Sequence, residues 1–403
     1  MRTLLFLSLL LFSLCTHADP RKILIFIPGY YGSFLKNQTN GDREFLTLGQ
    51  VLLTADPLIY PVEGVFPDAK RVSDDGYFDS FNVIPSIFAI DGYRDSVEAF
   101  RLWGRPRQFE IHPLSYDWRA DLHTILARIE AQIQEIQPTK NDQVILVGHS
   151  FGGLIAAYYM RYGTQDPASA KETFAALEWV DAWILAGAPF RGTAQIFRNS
   201  FYGVPSAGFR DILAPVAVSS YPSTFLLTPP PDLLRVIDEN GQEHPLDAFD
   251  AEAYEKNKWG LFQEKLQLSP GTLEKRREWT RQQTTTAKSF YQKLLAPTQI
   301  KRRVPVLVLT GEGHKTNQVG RQIPGRAQFV FLPEQYKEFG LKADASKSDV
   351  DGDRVVSVES AEPPPFLKSL GAQWERTPID HADLLKSVDT RPLWKKFLEA
   401  QGF

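Results

Sequence analysis

The chain has 403 residues, of which 43% are hydrophobic and 23% are charged. This is the composition of a globular protein, and it excludes a disordered chain, a collagen-like fibre and a small disulfide-held scaffold. The 45 Lys and Arg residues are offset by 48 Asp and Glu residues, which gives a formal net charge of -3. The sequence therefore has no global basic excess that would indicate nucleic acid as a partner.

The first 18 residues have the pattern of a secretory signal peptide. Arg2 precedes an apolar run at residues 4–14, and the small residue Ala18 follows shortly after. We expect cleavage near Ala18 and Asp19 and a mature protein that is secreted or periplasmic. A run of 11 residues is too short to span a bilayer. A lipoprotein with a lipidated Cys15 is the alternative, which the bulky leucine directly before that cysteine disfavours.

Cys15 is the only cysteine of the chain. Cleavage after the signal peptide leaves a mature protein without any. We therefore expect no disulfide, no zinc site with cysteine ligands and no thiol nucleophile.

Four continuous apolar runs predict buried β-strands. They lie at Lys22 to Ile27, Gln143 to Gly148, Ala182 to Ala186 and Val304 to Leu309. Between the first two runs, apolar residues recur at helical spacing from Leu122 to Ile136. Buried strands that alternate with helices predict an α/β fold with a mostly parallel sheet flanked by helices.

This alternation fails between residues 194 and 300. The segment contains three consecutive prolines at 229–231 and a polar turn at 238–243. Because a strand pattern resumes at residue 304, we predict that 194–300 is a large cap inserted into a core formed by 19–193 and 301–403. A separate domain is the alternative.

A candidate nucleophile follows the second predicted strand. Gly148-His149-Ser150-Phe151-Gly152 is a G-x-S-x-G sequence, and an apolar helix pattern begins directly after it. In this strand–turn–helix context the sequence predicts the nucleophile elbow of an α/β-hydrolase, with Ser150 in a sharp turn. The alternative is a glycine-rich turn whose serine caps the helix.

A serine nucleophile requires a base and a carboxylate that orients the base. In this fold the chain order is serine, acid, histidine. His381 is the predicted base, because it lies near the C-terminus, whereas His314 comes earlier. Asp353 is the predicted acid, and Glu312, directly after the strand at 304–309, is the alternative.

Three carboxylates between residues 349 and 353 also suggest calcium. The segment has no glutamate at the twelfth loop position and its glycine is misplaced, so it is not an EF-hand. A solvated acidic turn remains the alternative for Asp349 and Asp351.

Acyl transfer at an ester also requires two N–H groups that bind the oxyanion. The Phe151 amide is one predicted donor, and the Tyr30 amide, in the loop at 28–32 after the first strand, is the other. His149 adjoins the nucleophile, and we interpret it as a packing residue. This chemistry needs no metal ion and no organic cofactor.

Further motifs accompany these candidates. The full set, in chain order, is Ile27-Pro-Gly-Tyr-Tyr-Gly32, Ser115-Tyr-Asp-Trp-Arg119, Gly148 to Leu154, Ala186-Gly-Ala-Pro-Phe190 through Thr193, Tyr221-Pro-Ser-Thr-Phe225, Gly352-Asp353-Arg-Val-Val356, and Asp380-His381. Taken together, these motifs resemble the lecithin:cholesterol acyltransferase family, which includes a lysosomal phospholipase A2.

The resemblance implies a catalytic triad of Ser150, Asp353 and His381, with Tyr30 and Phe151 as oxyanion donors. It implies an α/β-hydrolase fold and the transfer of a fatty acyl group from a phospholipid to an alcohol or to water. One departure is that members carry a disulfide-closed loop in a membrane-facing part. Its counterpart here, residues 64–104, has no cysteine.

We therefore expect a serine-dependent lipid acyl hydrolase or O-acyltransferase that contacts a membrane or lipid surface transiently. The basic stretch at 275–303 is a candidate for that contact, although a solvated helix face is the favoured interpretation. Two alternatives remain, namely an esterase for small soluble esters and a non-catalytic lipid-binding protein on a hydrolase fold. The aromatic-bearing cap favours a large apolar substrate.

Overall fold

The computed structural model describes residues 20–47, 58–84, 88–205, 211–326, 328–341 and 349–403. The predicted signal peptide at 1–18, with Cys15, lies outside the described residues. Within them, every helix is either too short or too polar to cross a bilayer.

The strands have the following bounds: β1 Lys22–Ile27, β2 Ser33–Asn37, β3 Val72–Tyr77, β4 Ser80–Ile84, β5 Phe88–Asp91, β6 Phe109–Pro113, β7 Gln143–His149, β8 Ala182–Ala186, β9 Val204–Pro205, β10 Asp211–Leu213, β11 Arg235–Ile237, β12 Glu243–Pro245, β13 Val306–Gly311, β14 His314–Asn317, β15 Val319–Gln322, β16 Phe329–Val330, β17 Asp349–Gly352 and β18 Gln373–Thr377.

The α-helices are α1 Arg94–Gly104, α2 Leu122–Ile136, α3 Phe151–Tyr162, α4 Ala194–Tyr202, α5 Pro215–Ser220, α6 Pro222–Leu227, α7 Ala251–Lys256, α8 Leu273–Leu295, α9 Val358–Ala361, α10 Pro365–Ser369 and α11 Arg391–Ala400. Short 3-10 helices lie at Arg105–Arg107, Ala175–Glu178, Gly260–Phe262, Glu264–Leu266, Pro270–Thr272, Pro333–Phe339 and His381–Asp383.

A six-stranded sheet forms the core, in the order β18-β13-β8-β7-β1-β6. Every neighbouring pair in it is parallel. The predicted parallel sheet is therefore confirmed. The four strands predicted from apolar runs are its four inner strands, and the predicted helix at 122–136 is α2.

The register brings the carboxyl ends of the inner strands to one level. Ile27, the last residue of β1, lies beside Gly148 of β7. His149 at the end of β7 lies beside Ala186 of β8, which in turn pairs with Leu309 of β13. The loops that follow these strands consequently leave the sheet at the same edge, where ligands bind in open parallel sheets.

Alternate side chains of each inner strand pack on opposite faces of the sheet. Ile23, Ile25 and Ile27 belong to a cluster that includes α2 and α3. Leu24 and Phe26 belong to a second cluster with α1 and α11. Helices therefore cover both faces, which explains why these strands are apolar throughout.

A third cluster lies outside the central sheet. It is aromatic-rich and includes Phe197, Phe201, Trp259, Phe262 and Phe331. The small sheet beside it has the order β12-β11-β15-β16, and β11 pairs with β15 in parallel. The segment predicted as a cap, 194–300, therefore shares a sheet with residues 319–330, which the prediction assigned to the core.

Residues 64–104 hold β3, the β4–β5 hairpin and α1. β3 pairs with β2 in antiparallel fashion. The carboxylate of Asp74 on β3 accepts hydrogen bonds from Ser115 Oγ at 2.6 Å and from the Arg128 guanidinium at 3.0 Å. Strand pairing and these polar contacts thus attach this cysteine-free segment to the core.

Candidate active site

Ser150 occupies a sharp turn between β7 and α3. Its backbone has φ 54° and ψ −125°, a conformation that costs a non-glycine residue about 1–3 kcal/mol. The Ser150 amide donates to the Ala186 carbonyl at 2.8 Å, which fixes the turn against β8. The local geometry is that of the predicted nucleophile elbow.

Both glycines of the G-x-S-x-G sequence are sterically required, because neither position has room for a Cβ. A Cβ on Gly148 would lie 2.7 Å from the Gly152 carbonyl oxygen. A Cβ on Gly152 would overlap the carbonyl oxygens of Ile27 and Pro28. The elbow helix can therefore approach the end of β1 only because position 152 has no side chain.

His381 and Asp353 form a hydrogen-bonded pair at the same edge of the sheet. His381 Nδ1 lies 2.7 Å from Asp353 Oδ2, and the His381 amide donates to the Asp353 carbonyl at 3.1 Å. Asp353 Oδ1 accepts from the amides of Val355 and Val356 at 3.0 and 2.7 Å. Since an ionised carboxylate only accepts, Nδ1 carries the proton and Nε2 is left as the basic nitrogen.

The Asp353 carboxyl is buried, with 1% of its side chain exposed. Burial by itself raises the pKa of this group, but the charge of His381 and the hydrogen bonds that Asp353 accepts together hold its pKa below the ordinary value. The acid is therefore ionised and able to stabilise a protonated His381.

Ser150 and His381 line one pocket of about 200 Å³. The structure has no direct hydrogen bond between the Ser150 hydroxyl and His381, a contact that often tightens only when substrate binds. Pro189, Ile196 and Leu227 give the pocket an apolar wall.

The two alternative site residues lie apart from this pocket. Glu312 pairs with Arg376 at 3.3 Å, and His314 lies 3.1 Å from Asp380. Neither contributes to the lining around Ser150.

The acidic turn before Asp353 is engaged internally. Asp349 accepts from the Asn317 side chain at 2.7 Å, and Asp351 accepts from the Gly313 amide. Across the described ranges, no group of three or more His, Cys, Asp or Glu side chains is arranged to hold a metal ion.

The predicted oxyanion donors flank Ser150. Phe151 is the first residue of α3, and the Tyr30 and Phe151 rings are 5.7 Å apart. Neither amide donates a hydrogen bond to another described residue. A Cβ built on Gly29 would lie 2.7 Å from Ser150 Cβ, so the loop that carries Tyr30 abuts the nucleophile.

The Tyr-Asp-Trp-Arg segment supports that loop from behind. The Tyr116 hydroxyl donates to the Pro28 carbonyl at 2.7 Å, and Trp118 Nε1 donates to the Ser33 carbonyl at 3.1 Å. Both side chains are fully buried. These residues therefore fix the path of the loop and do not face the Ser150 pocket.

Asp117 and Arg119 of the same segment form a bidentate ion pair, at 3.0 and 2.9 Å. Arg119 is buried and also donates to the Leu58 carbonyl at 3.1 Å. A buried arginine needs such a set of acceptors, because its charge is otherwise unsolvated. The pair is thus a structural feature behind the site.

Two further polar residues adjoin Ser150 and the Asp353–His381 pair. His149, interpreted from the sequence as packing, is buried and lies 2.8 Å from the Tyr93 hydroxyl through Nδ1 and 2.9 Å from the His381 carbonyl through Nε2. Burial and the charge of His381 lower the pKa of His149 to about 3. Tyr93 belongs to none of the sequence motifs, so sequence reasoning had no signal for it.

Comparison with known proteins bears on the fold and on the segment around Ser150. The model of the lecithin:cholesterol acyltransferase family matches residues 68–214. The match covers the Tyr-Asp-Trp-Arg segment and the elbow with Ser150, and it confirms the resemblance that the motifs carry. Asp353 and His381 lie beyond the matched segment, so their roles rest on the contacts described above. A search of curated proteins finds no match to this chain.

The chain shares its fold with a chain of the Tle4–Tli4 complex, with a TM-score of 0.54 and 14% identity over 96% of this chain and 99% of that chain. Mature Bacillus licheniformis lipase BlEst2 has a TM-score of 0.34 and 12% identity over 96% and 94% of the two chains. MenH from S. aureus has a TM-score of 0.34 and 11% identity over 96% and 97%. The chain has an α/β-hydrolase fold.

Because Asp353 and Glu312 have different contacts, replacing each carboxylate by its amide should affect kcat/KM differently. Asp353→Asn should lower kcat/KM on the order of 10³–10⁴-fold, because the amide cannot stabilise a protonated His381. Glu312→Gln, which removes only the partner of Arg376, should leave kcat/KM close to that of the wild type. Steady-state kinetics on one ester, with circular dichroism to verify folding, measures both. The reverse order of effects would transfer the role of the acid to Glu312.

Because His149 is buried, the free energy of unfolding should depend on pH. The folded pKa of His149, about 3, lies below the ordinary value of 6.5, so between these values the unfolded state binds one more proton. The free energy of unfolding should therefore fall with decreasing pH by up to about 1.4 kcal/mol per pH unit. The groups that face this imidazole are His381, Asp353, Lys386 and Tyr93.

Urea denaturation between pH 4 and pH 7 measures this slope. His149→Gln retains the other titrating groups and should show a shallower decline of stability. Equal slopes for the wild type and the variant would contradict a neutral buried His149.

Proposed function

We propose that this protein is a serine-dependent lipid acyl hydrolase or O-acyltransferase. It cleaves a fatty acyl ester through an acyl-enzyme and passes the acyl group to an alcohol or to water. The substrate that we propose first is a phospholipid. The observation that carries the proposal is the Asp353–His381 pair, at 2.7 Å, whose His381 lines the same pocket as the strained Ser150. The family match over the elbow supports the lipid ester as the substrate class.

In the first half of the reaction, Ser150 Oγ attacks the ester carbonyl carbon and His381 Nε2 accepts the proton of the hydroxyl. Asp353 holds the Nδ1 proton and stabilises the imidazolium. The negative charge on the carbonyl oxygen is bound by the amides of Tyr30 and Phe151. His381 then returns the proton to the leaving alcohol, and the acyl group remains on Ser150.

In the second half, His381 takes a proton from water or from an acceptor alcohol, which attacks the acyl-enzyme. The same amides bind the oxyanion, and Ser150 is regenerated. The partition between hydrolysis and transfer depends on how far the closed site excludes water.

The pocket also contains polar atoms that bear on the acceptor. Gln195 Oε1 is buried and has no hydrogen-bond partner in the described part of the chain, and the buried Tyr31 hydroxyl faces the Asn199 side chain in the same pocket. Buried polar atoms of this kind are usually satisfied by a ligand or an ordered water. A hydroxyl-bearing alcohol fits such a pair, because it both donates and accepts.

The size of the pocket favours a second candidate. A volume of about 200 Å³ is below the roughly 300–1,000 Å³ of typical ligand pockets. A long acyl chain requires the cap side of this pocket to open, whereas a short acyl group does not. The second candidate is therefore an esterase for small soluble esters.

We also propose a secreted or periplasmic location and a transient contact with a lipid surface. The basic helix α8 supports that contact little, because its cations are already paired: Arg277 pairs with Glu255 and Glu274, and Lys275 pairs with Glu278. These exposed pairs indicate a solvated helix face.

A fluorophosphonate probe tests the nucleophile. It should label the wild type at one site, identified as Ser150 by peptide mass spectrometry, and Ser150→Ala should not be labelled. Ser219→Ala is a matched control, because this buried serine donates to the Ser200 carbonyl away from the pocket and its loss should leave labelling unchanged. A folded wild-type protein that resists the probe would count decisively against the mechanism.

Product analysis separates the two candidate functions. With phospholipid vesicles plus an added alcohol, mass spectrometry should detect free fatty acid or the new ester, and Ser150→Ala should give neither. Short-chain esters below their aggregation concentration serve as the comparison. Turnover of these soluble esters, with no product from vesicles, would favour the small-ester esterase.

A further inference from the structure

We infer that Tyr93 and His149 are positioning residues that couple the oxyanion loop to the catalytic base. A chain of three hydrogen bonds runs from the Gly29 amide to the Tyr93 hydroxyl, then to the His149 imidazole, and ends at the main-chain carbonyl of His381. The lengths are 2.8, 2.8 and 2.9 Å. The inference rests on the proposed roles of His381 and of the oxyanion loop.

The chemistry of the groups fixes the direction of every bond in this chain. A carbonyl oxygen only accepts, so His149 Nε2 must carry the proton that faces His381. A neutral imidazole then has Nδ1 as its acceptor, and the Tyr93 hydroxyl must donate to it. The Tyr93 oxygen in turn accepts from the Gly29 N–H. Each donor and each acceptor is used once, and no reversed arrangement satisfies both ends.

The electrostatics keep His149 in this neutral form. The imidazole is 4% exposed, and its ring centroid lies 4.9 Å from that of His381. Burial first, and then the charge of His381, disfavour protonation. The hydrogen bond to the His381 carbonyl and the charge of Asp353 favour it, Lys386 opposes it, and the net effect is a lowered pKa of His149. A second imidazolium beside His381 would oppose the proton transfer from Ser150, so a locked neutral tautomer preserves the base.

The chain also connects segments that are distant in sequence. Gly29 follows β1, Tyr93 directly precedes α1, His149 ends β7 and His381 follows β18. A Cβ on Gly29 would lie 2.7 Å from both the Tyr93 hydroxyl and Ser150 Cβ, so the loop is held between tyrosine and nucleophile. Tyr93 thus sets the position of the backbone next to the Tyr30 amide, and His149 sets that of the backbone of the base.

Tyr93→Phe removes one hydroxyl and leaves both the Gly29 amide and His149 Nδ1 without their partner. We expect kcat to fall by about 10–100-fold, since a displacement near 1 Å costs on the order of 10²-fold. KM should change little, because the phenol does not line the pocket. The rate of labelling by a fluorophosphonate should fall with kcat, because it uses the same base and oxyanion donors.

Tyr158→Phe is the matched control. Its hydroxyl is also a donor from a buried tyrosine, to the Gln165 carbonyl at 2.8 Å, but it is remote from the pocket. This variant should lower the melting temperature about as much as Tyr93→Phe and leave kcat unchanged. Equal kcat values for the two variants would overturn the inference, because the effect of Tyr93 would then be structural only.

A spectroscopic measurement detects this chain of hydrogen bonds without relying on enzyme activity. In ¹⁵N-histidine-labelled wild type, His149 should appear as the neutral Nε2–H tautomer and should not titrate between pH 5 and 8. In Tyr93→Phe the tautomer pattern should change. An Nδ1–H tautomer, or titration near pH 6.5, would overturn the inference even in an active enzyme. If the fluorophosphonate failed to label Ser150 in the wild type, the proposed function would be refuted. The ¹⁵N measurement would then still decide whether the hydrogen-bond chain exists.

Discussion

The close approach of the elbow helix to the end of β1 is the constraint on which the site depends. Gly152 lies against the carbonyl oxygens of Ile27 and Pro28, at a distance that admits no side chain. This contact brings the loop at 28–32 against Ser150 and makes the positive-φ backbone of Ser150 part of the packing. The strain of the turn is therefore held by the surrounding sheet, as is usual where a nucleophile must project from a strand end.

The same helix connects the nucleophile to the cap side of the molecule. Arg161, near the end of α3, is buried and donates to the carbonyls of Lys293, Ala296 and Pro297, which close the C-terminus of α8. A cation at a helix C-terminus satisfies carbonyls that have no partner within the helix. The helix that begins at Ser150 thus also anchors the long helix of the inserted segment.

Sequence patterns predicted the inner part of the sheet because those strands are buried on both faces. The outer strands β6 and β18 escaped prediction, since Phe109–Pro113 and Gln373–Thr377 mix polar and apolar residues as edge strands do. The elbow was predictable because its glycines and its strand–turn–helix context are both local features. The cap boundary at residue 300 was not, because the pairing of β11 with β15 joins residues far apart in the chain.

The choice between Glu312 and Asp353 shows where local reasoning ends. Glu312 directly follows β13 and satisfies the chain order equally well. In the structure, however, Gly311 has no Cβ, and the space where one would lie is taken by the Cβ of Asp353. The antiparallel pairing of β14 with β17 delivers Asp353 to this place. The predicted acid therefore comes to the end of β13 from a different strand. The residues alone favoured Asp353 but kept Glu312 as the alternative, and the resemblance strengthened the preference for Asp353.

The lack of a cysteine in residues 64–104 raises the question of what holds that segment in place. Pairing of β3 with β2 fixes one side, and Asp74 binds Ser115 and Arg128 on the other. The Arg128 side chain is 40% exposed, so its ion pair with Asp74 contributes at most about 1 kcal/mol. Because Tyr93 belongs to the same segment and bonds to the Gly29 amide, these contacts also hold the oxyanion loop. The contacts that attach this segment to the core therefore also maintain the geometry around Ser150.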